Sequence, residues 1–367
     1  MSYLRWDSVD DPVIPITEIF RRIVQHWWSA VATGTSSTEE VYMNLDKIMR
    51  GLWIVLAMIQ IAALPAQGQG DANASQAATP GVAIKLFDPN PHAPNQMLAQ
   101  DINNVGEIVG YLGNEHNGHG FLRSKRGQYT EFFFPGTCFF TDQPCSYPVG
   151  LNDRGEIIGT TRFAIEPQAF LRKKDGSVTT LPASPGNSVP SPVSINNQGE
   201  IVGTYSRSNE LGVHGFLLRG GEYTTIDFPG TATTVCTGIN NSGLITGSYY
   251  ENGTPHGFLW WRGSFIATFQ VFESNGARAT TPRAINDAGQ VVGGYASSLR
   301  AGATFVRNLD GTIKIIDLGA LLQPIGGSGG IVTGINNQGD LVGYWGSGAG
   351  FSPIFGFLIP SGAGQPR

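Results

Sequence analysis

Apolar and polar positions alternate in short runs along most of the chain, and the runs recur at a regular interval. The signature Ile or Leu, Asn, Asn or Asp, any residue, Gly begins at Ile102, Leu151, Ile195, Ile239, Ile285 and Ile335. Consecutive starts lie 44 to 50 residues apart. A constant period of this size indicates that one supersecondary unit is repeated along the chain.

Each unit contains enough β-type segments for four short strands. The signature is followed by a Val/Ile-rich run ending in Gly, such as "EIVGTY", and then by an aromatic run, such as "HGFLLR". A third run follows in the first five units, as in "EYTTIDFPG", and a fourth leads into the next signature. Asn, Asp and Gly in the intervening positions favour tight reversals between antiparallel strands.

Four antiparallel strands per unit are typical of a propeller blade. We therefore predict an all-β, six-bladed β-propeller of four-stranded antiparallel blades over 82–360, with a solenoid of the same units as the alternative. The sixth unit ends after its third strand, and "VAIKLFDPN" at the other end resembles the missing one. The strand at 82–88 is thus predicted to close the last blade, which removes two open sheet edges.

These motifs resemble the HAF-repeat family of extracellular repeat proteins. The resemblance covers roughly 82–360 and rests on "GINNSGLITG" and "HGFL". The family is named for a His-Ala-Phe triplet. The equivalent triplets in this chain are His-Gly-Phe beginning at 119, 214 and 256 and Gln-Ala-Phe beginning at 168. The resemblance implies export and a repeat architecture, and no catalytic residue is carried over from it.

The N-terminal region has a different pattern. An apolar segment of 14 residues, "GLWIVLAMIQIAAL" at 51–64, follows Lys47 and Arg50 and precedes small residues. This length fits a signal-peptide core better than a span of about 20 residues. We predict a signal peptide at 43–68 with a helical core at 51–64, a non-native extension or a disordered or helical segment at 1–42, a linker at 69–81 and a tail at 361–367. The alternative is a membrane anchor at 51–64 behind a cytoplasmic helix.

Composition supports this picture and excludes some partners. Charged residues make up 14% of the chain, there are 50 glycines, and the net charge is -5. Without a basic patch, nucleic acid is not expected as a partner. No phosphate-binding loop, metalloprotease motif, calcium loop or nucleophile elbow occurs, so no cofactor or metal is expected. A monomer is expected, with no membrane span once the signal is cleaved.

The repeated polar residues are interpreted as structural. His119, His214 and His256 lie in different units and would not converge on one ion, so each is expected to bond a neighbouring loop. The acidic residues after the turn glycine, Glu107, Glu156, Glu200 and Asp340, are similarly spread one per unit. Each is expected to be a solvated hairpin position.

Strand order places the candidate binding residues on one face, where the second connection of each unit and the crossovers lie. Variable loops on a rigid scaffold commonly carry recognition. The candidates there are Glu115, His116, Arg162, Arg207, Glu210, Glu273 and Arg278. The crossover 134–150 adds Phe139, Phe140 and Tyr147, which a disulfide between Cys138 and Cys145 would hold in place. Cys236 is expected to be buried without a partner.

Two functions remain open. The first is a non-catalytic, exported binding module for an extracellular polymer, glycan or protein. The second is a hydrolase or lyase acting on extracellular carbohydrate, with its site in the central funnel. The absence of a linear catalytic motif favours the first, although single residues from several blades can assemble an active site.

Overall fold

The computed structural model describes residues 85–87, 97–113, 118–134, 146–161, 164, 166–208, 210–271, 279–295, 303–323, 329–346 and 354–361. These residues form six four-stranded antiparallel sheets, which are the blades of a six-bladed β-propeller. The predicted fold class is therefore confirmed. The segments predicted as an extension, a signal peptide and a linker, and residues 362–367 of the tail, lie outside the described residues.

The strands follow the chain blade by blade, except that β1 (Lys85–Phe87) belongs to blade 6. Blade 1 contains β2 (Met97–Ile102), β3 (Ile108–Leu112), β4 (His119–Arg123) and β5 (Tyr129–Phe132). Blade 2 contains β6 (Tyr147–Leu151), β7 (Ile157–Thr160), β8 (Ala169–Arg172) and β9 (Val178–Thr180). Blade 3 contains β10 (Ser191–Ile195), β11 (Ile201–Tyr205), β12 (His214–Arg219) and β13 (Glu222–Ile226).

The second half repeats this order. Blade 4 contains β14 (Thr234–Ile239), β15 (Ile245–Glu251), β16 (Thr254–Trp261) and β17 (Ser264–Phe269). Blade 5 contains β18 (Thr280–Ile285), β19 (Val291–Tyr295), β20 (Ala303–Arg307) and β21 (Ile313–Asp317). Blade 6 contains β22 (Gly330–Ile335), β23 (Leu341–Gly346), β24 (Ile354–Ile359) and then β1.

The ring closes as the sequence predicts. Strand β1 pairs antiparallel with β24, with Lys85 opposite Leu358 and Phe87 opposite Gly356. The first strand of each blade contacts the first strands of both neighbouring blades, so these six strands surround the central axis. Blade 6 is therefore completed by the start of the propeller sequence, which pairs the edge of β24.

Each blade contains a glycine paired with a phenylalanine, and these two residues recur at the same positions in every repeat unit. The second strand places a glycine directly opposite a phenylalanine of the third strand in every blade, as with Gly203 and Phe216. A Cβ at Gly203 would collide with the carbonyl oxygen of Ser191 and crowd the Phe216 ring. The same register holds for 110/121, 159/170, 247/258, 293/305 and 343/357.

The hydrophobic core lies mainly between adjacent blades. Phe87 of blade 6, for example, packs in one cluster with Met97 and Phe121 of blade 1, and the guanidinium of Arg123 lies 5.0 Å from the centre of the Phe87 ring. Cys236 is fully buried in the cluster between blades 3 and 4, as predicted, and burial raises the pKa of its thiol. Blade-to-blade contact therefore carries much of the apolar burial.

One short helix was not predicted. Helix α1 (Leu318–Leu322) occupies the crossover from blade 5 to blade 6. Asp317 caps it by accepting a hydrogen bond from the Ala320 N–H, and Leu318 and Leu322 are fully buried. The sequence has two features typical of such a helix, an Asp that can cap the N-terminus and two leucines four residues apart. No helix in the described part of the chain has the length and apolar character of a bilayer span.

Candidate functional site

The two faces of the propeller are built from different connections. The first and third connections of each blade form one face, the turn face, and the first ones are tight turns such as 196–200, where the Gly199 N–H donates to the Asn196 carbonyl at 3.0 Å. The second connections and the crossovers form the opposite face, which we call the variable face. Its described residues are 113, 118, 133–134, 146, 161, 164, 166–168, 181–190, 206–208, 210–213, 227–233, 252–253, 270–271, 279, 318–323 and 329.

Most of the candidate residues on the variable face lie outside the described residues. They are Glu115, His116, Cys138, Phe139, Phe140, Cys145, Arg162, Glu273 and Arg278. Their convergence, and the disulfide between Cys138 and Cys145, therefore stay predictions. Tyr147, Arg207 and Glu210 are described.

Tyr147 does not present its ring to a ligand, contrary to the expectation. Its side chain is 1% exposed at the start of β6 and packs edge-on against Tyr111 of blade 1, with 5.2 Å between ring centres. The residue follows the crossover directly, so its ring enters the interface between the two blades. Tyr147 therefore packs beneath the variable face and is not part of its surface.

Arg207 and Glu210 do come together, in the second connection of blade 3. The Arg207 Nη1 donates to Glu210 Oε1 at 3.1 Å and to Oε2 at 3.2 Å. Its Nη2 donates to the hydroxyl of Tyr205 at 3.0 Å, and that hydroxyl bonds Thr225 Oγ1 at 2.7 Å. The pair with Glu210 raises the pKa of Arg207, so the guanidinium is charged across the accessible pH range. The loop is thus cross-linked to two strands of its own blade.

His214 extends this network. Its Nδ1 lies 3.0 Å from both carboxylate oxygens of Asp227, and its Nε2 lies 3.0 Å from Glu210 Oε2, although the latter contact is not aligned as a hydrogen bond. The imidazole stacks obliquely on Tyr205 at 5.2 Å, and its side chain is 10% exposed. Both carboxylates are therefore engaged by cationic or imidazole groups.

The ordered loop leaves one apolar side chain in solvent. Leu211 is 94% exposed, between Glu210 and a bridge that joins Val213 to Thr233 in the next crossover. The Gly186 backbone packs against Ser206 and Arg207 from the other side. Leu211 is therefore the most exposed large apolar side chain among the described residues.

The three repeated histidines have the structural role that the sequence predicts. Each lies near the start of a third strand and contacts a residue at the end of the fourth strand: His119 contacts Glu131 at 3.1 Å, His214 contacts Asp227, and His256 contacts Gln270. Gln168 substitutes in blade 2 and accepts from the Thr180 hydroxyl at 3.2 Å. These contacts lie in separate blades, and the described residues contain no group of three or more metal-ligating side chains.

The turn face carries a polar network that sequence inspection missed. The first Asn of each signature is buried, and Asn196 is representative. Its Oδ1 accepts from the N–H groups of Gln198 and Glu200, both at 3.0 Å. Its Nδ2 donates to Glu200 Oε2 at 2.7 Å and to the Asn240 carbonyl of the next blade at 3.2 Å. Each such Asn therefore shapes its own turn, and the first five also bond the next blade.

These contacts correct the interpretation of the acidic residue after the turn glycine. Glu200 is only 9% exposed, and Glu107, Glu156 and Asp340 each accept a hydrogen bond from the corresponding Asn amide at 2.6–3.1 Å. They are partners of the buried Asn and not freely solvated hairpin positions. Gln290 has the same contact in blade 5, which shows that the carboxylate charge is not required.

The third residue of each signature forms a closed ring. Each backbone N–H donates to the side-chain Oδ1 of the equivalent residue in the next blade, at 2.7–2.9 Å. The order is Asn104, Asp153, Asn197, Asn241, Asp287, Asn337 and back to Asn104. Burial opposes ionisation of Asp287, but amide donors from Asn337 and Asn241 outweigh it and hold the pKa of Asp287 below its ordinary value.

A small cavity opens beside this ring, at the turn-face end of the central channel. It measures about 60 Å³ and is lined by the ends of the innermost strands and by the six turns. Asp101 enters it from blade 1, where blades 2 to 6 have Gly, Ser or Ala. Its Oδ2 accepts from the Leu151 N–H at 3.1 Å and its Oδ1 from the Ile102 N–H at 2.9 Å.

Asp101 gives a testable pH dependence. Burial raises the pKa of Asp101 to about 7. The two backbone hydrogen bonds act in the opposite direction, and repulsion from Asp153 adds to the increase. The folded protein then holds a proton that the unfolded chain releases from pH 4 upward, so the free energy of unfolding falls as pH rises to 7, by at most about 1.4 kcal/mol per pH unit. We expect Asp101→Asn to remove this slope, measured by urea unfolding at pH 4 to 8. Equal slopes in both proteins would contradict it.

Comparisons with known proteins give weak structural similarity. No family model and no curated protein matches the sequence. Virginiamycin B lyase from Staphylococcus aureus is 11% identical with a TM-score of 0.45, over 75% of this chain and 98% of that one. The fucose-specific lectin from Aleuria aurantia is 11% identical with a TM-score of 0.45, over 75% and 97%. TolB from Acinetobacter baumannii is 14% identical with a TM-score of 0.44, over 71% and 65%.

Proposed function

We propose that the protein is an exported, non-catalytic binding module that contacts its ligand through the variable face. The observation that carries this proposal is the second connection of blade 3. Arg207, Glu210 and His214 link the described residues of this loop to blade 3, while Leu211 is 94% exposed. A loop whose backbone is already held in place loses less conformational entropy on binding, so its exposed residues are suited to contact a ligand.

The chemistry of the same loop favours binding over catalysis. A glycoside-cleaving site needs two carboxylates around one bond, with room for the sugar between them. Glu210 and Asp227 instead flank the imidazole of His214, and Glu210 also pairs with Arg207. The cavity beside Asp101 lies at the opposite end of the channel. Glu210 and Asp227 are therefore paired around one imidazole and do not flank a substrate-sized space.

Export is part of the proposal and rests on the sequence. The apolar segment at 51–64 with its basic and small-residue flanks supports a signal peptide, and the repeated motifs support membership of the HAF-repeat family. N-terminal sequencing of the mature protein tests the signal, because cleavage near 64–68 is expected. A mature chain that keeps residues 51–64 would support the membrane-anchored alternative instead.

The binding test compares two exposed leucines on opposite faces. The full-length protein is immobilised, and binding of cell-envelope and polysaccharide fractions is measured by biolayer interferometry. Leu211→Ser is expected to weaken binding by about tenfold or more, because it removes an apolar contact without adding a charge. Leu309→Ser is the control, since Leu309 is 57% exposed in a turn on the other face. Equal binding by all three proteins, or no binding by the unmodified protein, would contradict the proposal.

A further inference from the structure

Exposed charges are distributed unequally between the two faces of the propeller. The variable face carries six described carboxylates, of which all but the last are exposed: Glu131, Glu166, Glu210, Asp227, Glu251 and Asp317. In the described connections of this face, Arg207 is the only lysine or arginine, and it is paired with Glu210. The described variable face is therefore strongly acidic.

The turn face has the opposite balance. Exposed lysines and arginines predominate there, including Lys125, Arg126, Arg154, Lys173, Lys174 and Arg219. The exposed carboxylates of this face in the described residues are Asp175, Glu222, Asp287 and Asp310. The chain as a whole has a net charge of only -5, so the acidic character of the variable face reflects the sorting of charges by topology.

Several of these carboxylates are held in place. His119 lies 3.1 Å from Glu131, His214 lies 3.0 Å from Asp227, and His256 lies 3.8 Å from Glu251. The three histidines occupy equivalent strand positions, and the carboxylates they contact belong to the fourth strand of blade 1, the crossover after blade 3 and the second strand of blade 4. Their side chains still retain 42–63% exposure, so they are fixed and accessible to a partner.

Apolar groups accompany the charges on this face. Leu211 is 94% exposed in blade 3, and Phe133 is 55% exposed after the fourth strand of blade 1, where it stacks on His119 with 5.0 Å between ring centres. Val189, in the crossover before blade 3, is 47% exposed. A partner must therefore offer both positive charge and apolar surface.

We infer that the variable face binds a basic polypeptide segment that also carries apolar side chains. This inference rests on the proposed binding function and adds the class of partner. Lysine and arginine supply positive charge on flexible apolar stems, which match exposed carboxylates beside Leu211 and Phe133. A polyanionic polymer would be repelled, because like charges facing each other across an interface cost several kcal/mol. The long-range field would also speed the approach of a basic partner.

The test uses charge-matched variants of the full-length protein and defined probes. Poly-L-lysine of about 20 residues is titrated at about 50 mM salt, with poly-L-glutamate of the same length as the opposite probe. The variable-face variant combines Glu131→Gln, Glu166→Gln and Glu251→Gln. The turn-face control combines Asp175→Asn, Glu222→Gln and Asp310→Asn, which changes the net charge equally. Circular dichroism on both variants verifies that the fold is retained.

We expect the variable-face variant to bind poly-L-lysine about tenfold or more weakly and the turn-face control to bind within about twofold of the unmodified protein. Equal losses in the two variants would overturn the inference, because net charge alone would then explain binding. Preferred binding of poly-L-glutamate would also overturn it.

Binding of the envelope and polysaccharide fractions distinguishes a failure of this inference from a failure of the proposed function. If the unmodified protein captures a polysaccharide and the variable-face variant captures it equally well, the binding module stands and the basic partner is wrong. If neither these fractions nor poly-L-lysine bind, both are wrong.

Discussion

Phe87→Ala is expected to lower the free energy of unfolding by about 3–5 kcal/mol, the range for truncating a buried phenylalanine. Phe87 is the last residue of β1, the strand that closes the ring. Its ring covers Gly356 of β24 and packs against blade 1, where Arg123 lies over it at 5.0 Å. The substitution therefore weakens both the last blade and its contact with the first. Urea-induced unfolding followed by tryptophan fluorescence measures the change.

Phe133→Ala is the control for this experiment. Phe133 is also an aromatic residue that follows a fourth strand, but it is 55% exposed, so its removal is expected to change stability by less than about 1 kcal/mol. If Phe87→Ala had an effect as small as that of Phe133→Ala, strand β1 would not be a stable part of the last blade in solution.

Asn196→Ala is expected to destabilise the protein by about 3–5 kcal/mol. The buried amide makes four hydrogen bonds, to Gln198 N, Glu200 N, Glu200 Oε2 and Asn240 O. Alanine leaves the N–H groups of Gln198 and Glu200 without their acceptor and removes one donor each from Glu200 Oε2 and the Asn240 carbonyl, and each buried loss costs about 1–3 kcal/mol before relaxation. The unfolding midpoint in urea should fall while the slope of the transition stays unchanged.

Gln198→Ala provides the matched control in the same turn. Its side chain is exposed, and the hydrogen bond it contributes comes from its backbone N–H, which alanine retains. The change should lie within about 0.5 kcal/mol of zero. A destabilisation by Gln198→Ala as large as that by Asn196→Ala would show that the turn sequence matters in general and that the inter-blade amide does not.

The repeat pattern alone predicted several features of the fold correctly. The period of 44 to 50 residues, the four strands per unit and the missing last strand led to six blades and to closure by the segment that contains Lys85–Phe87. These features are local or additive along the chain, because every blade uses the same hydrophobic alternation and the same Gly turn. The burial of Cys236 and the separation of the three histidines followed from the same reasoning.

The candidate site was predicted less completely. Arg207 and Glu210 were selected as loop residues, but their shared network with Tyr205 and His214 depends on the register of β11 and β12. Tyr147 was placed on the ligand face because it adjoins a long crossover, whereas its ring is buried between blades 1 and 2. The position of a strand residue next to a loop does not determine whether its side chain points to solvent or into the interface between blades.

The sequence by itself determined the number of blades, the strand order within each and the division into a regular face and a variable face. Each of these depends on spacing and on turn chemistry, which are read one unit at a time. Only the tertiary structure decided that Asn104, Asp153, Asn197, Asn241, Asp287 and Asn337 close a hydrogen-bonded ring, that Asp101 lies inside the channel, and that the exposed lysines and arginines of the described residues lie mainly on the turn face. These features depend on contacts between residues at least 44 positions apart. Such contacts form only when neighbouring blades pack together and the ring closes.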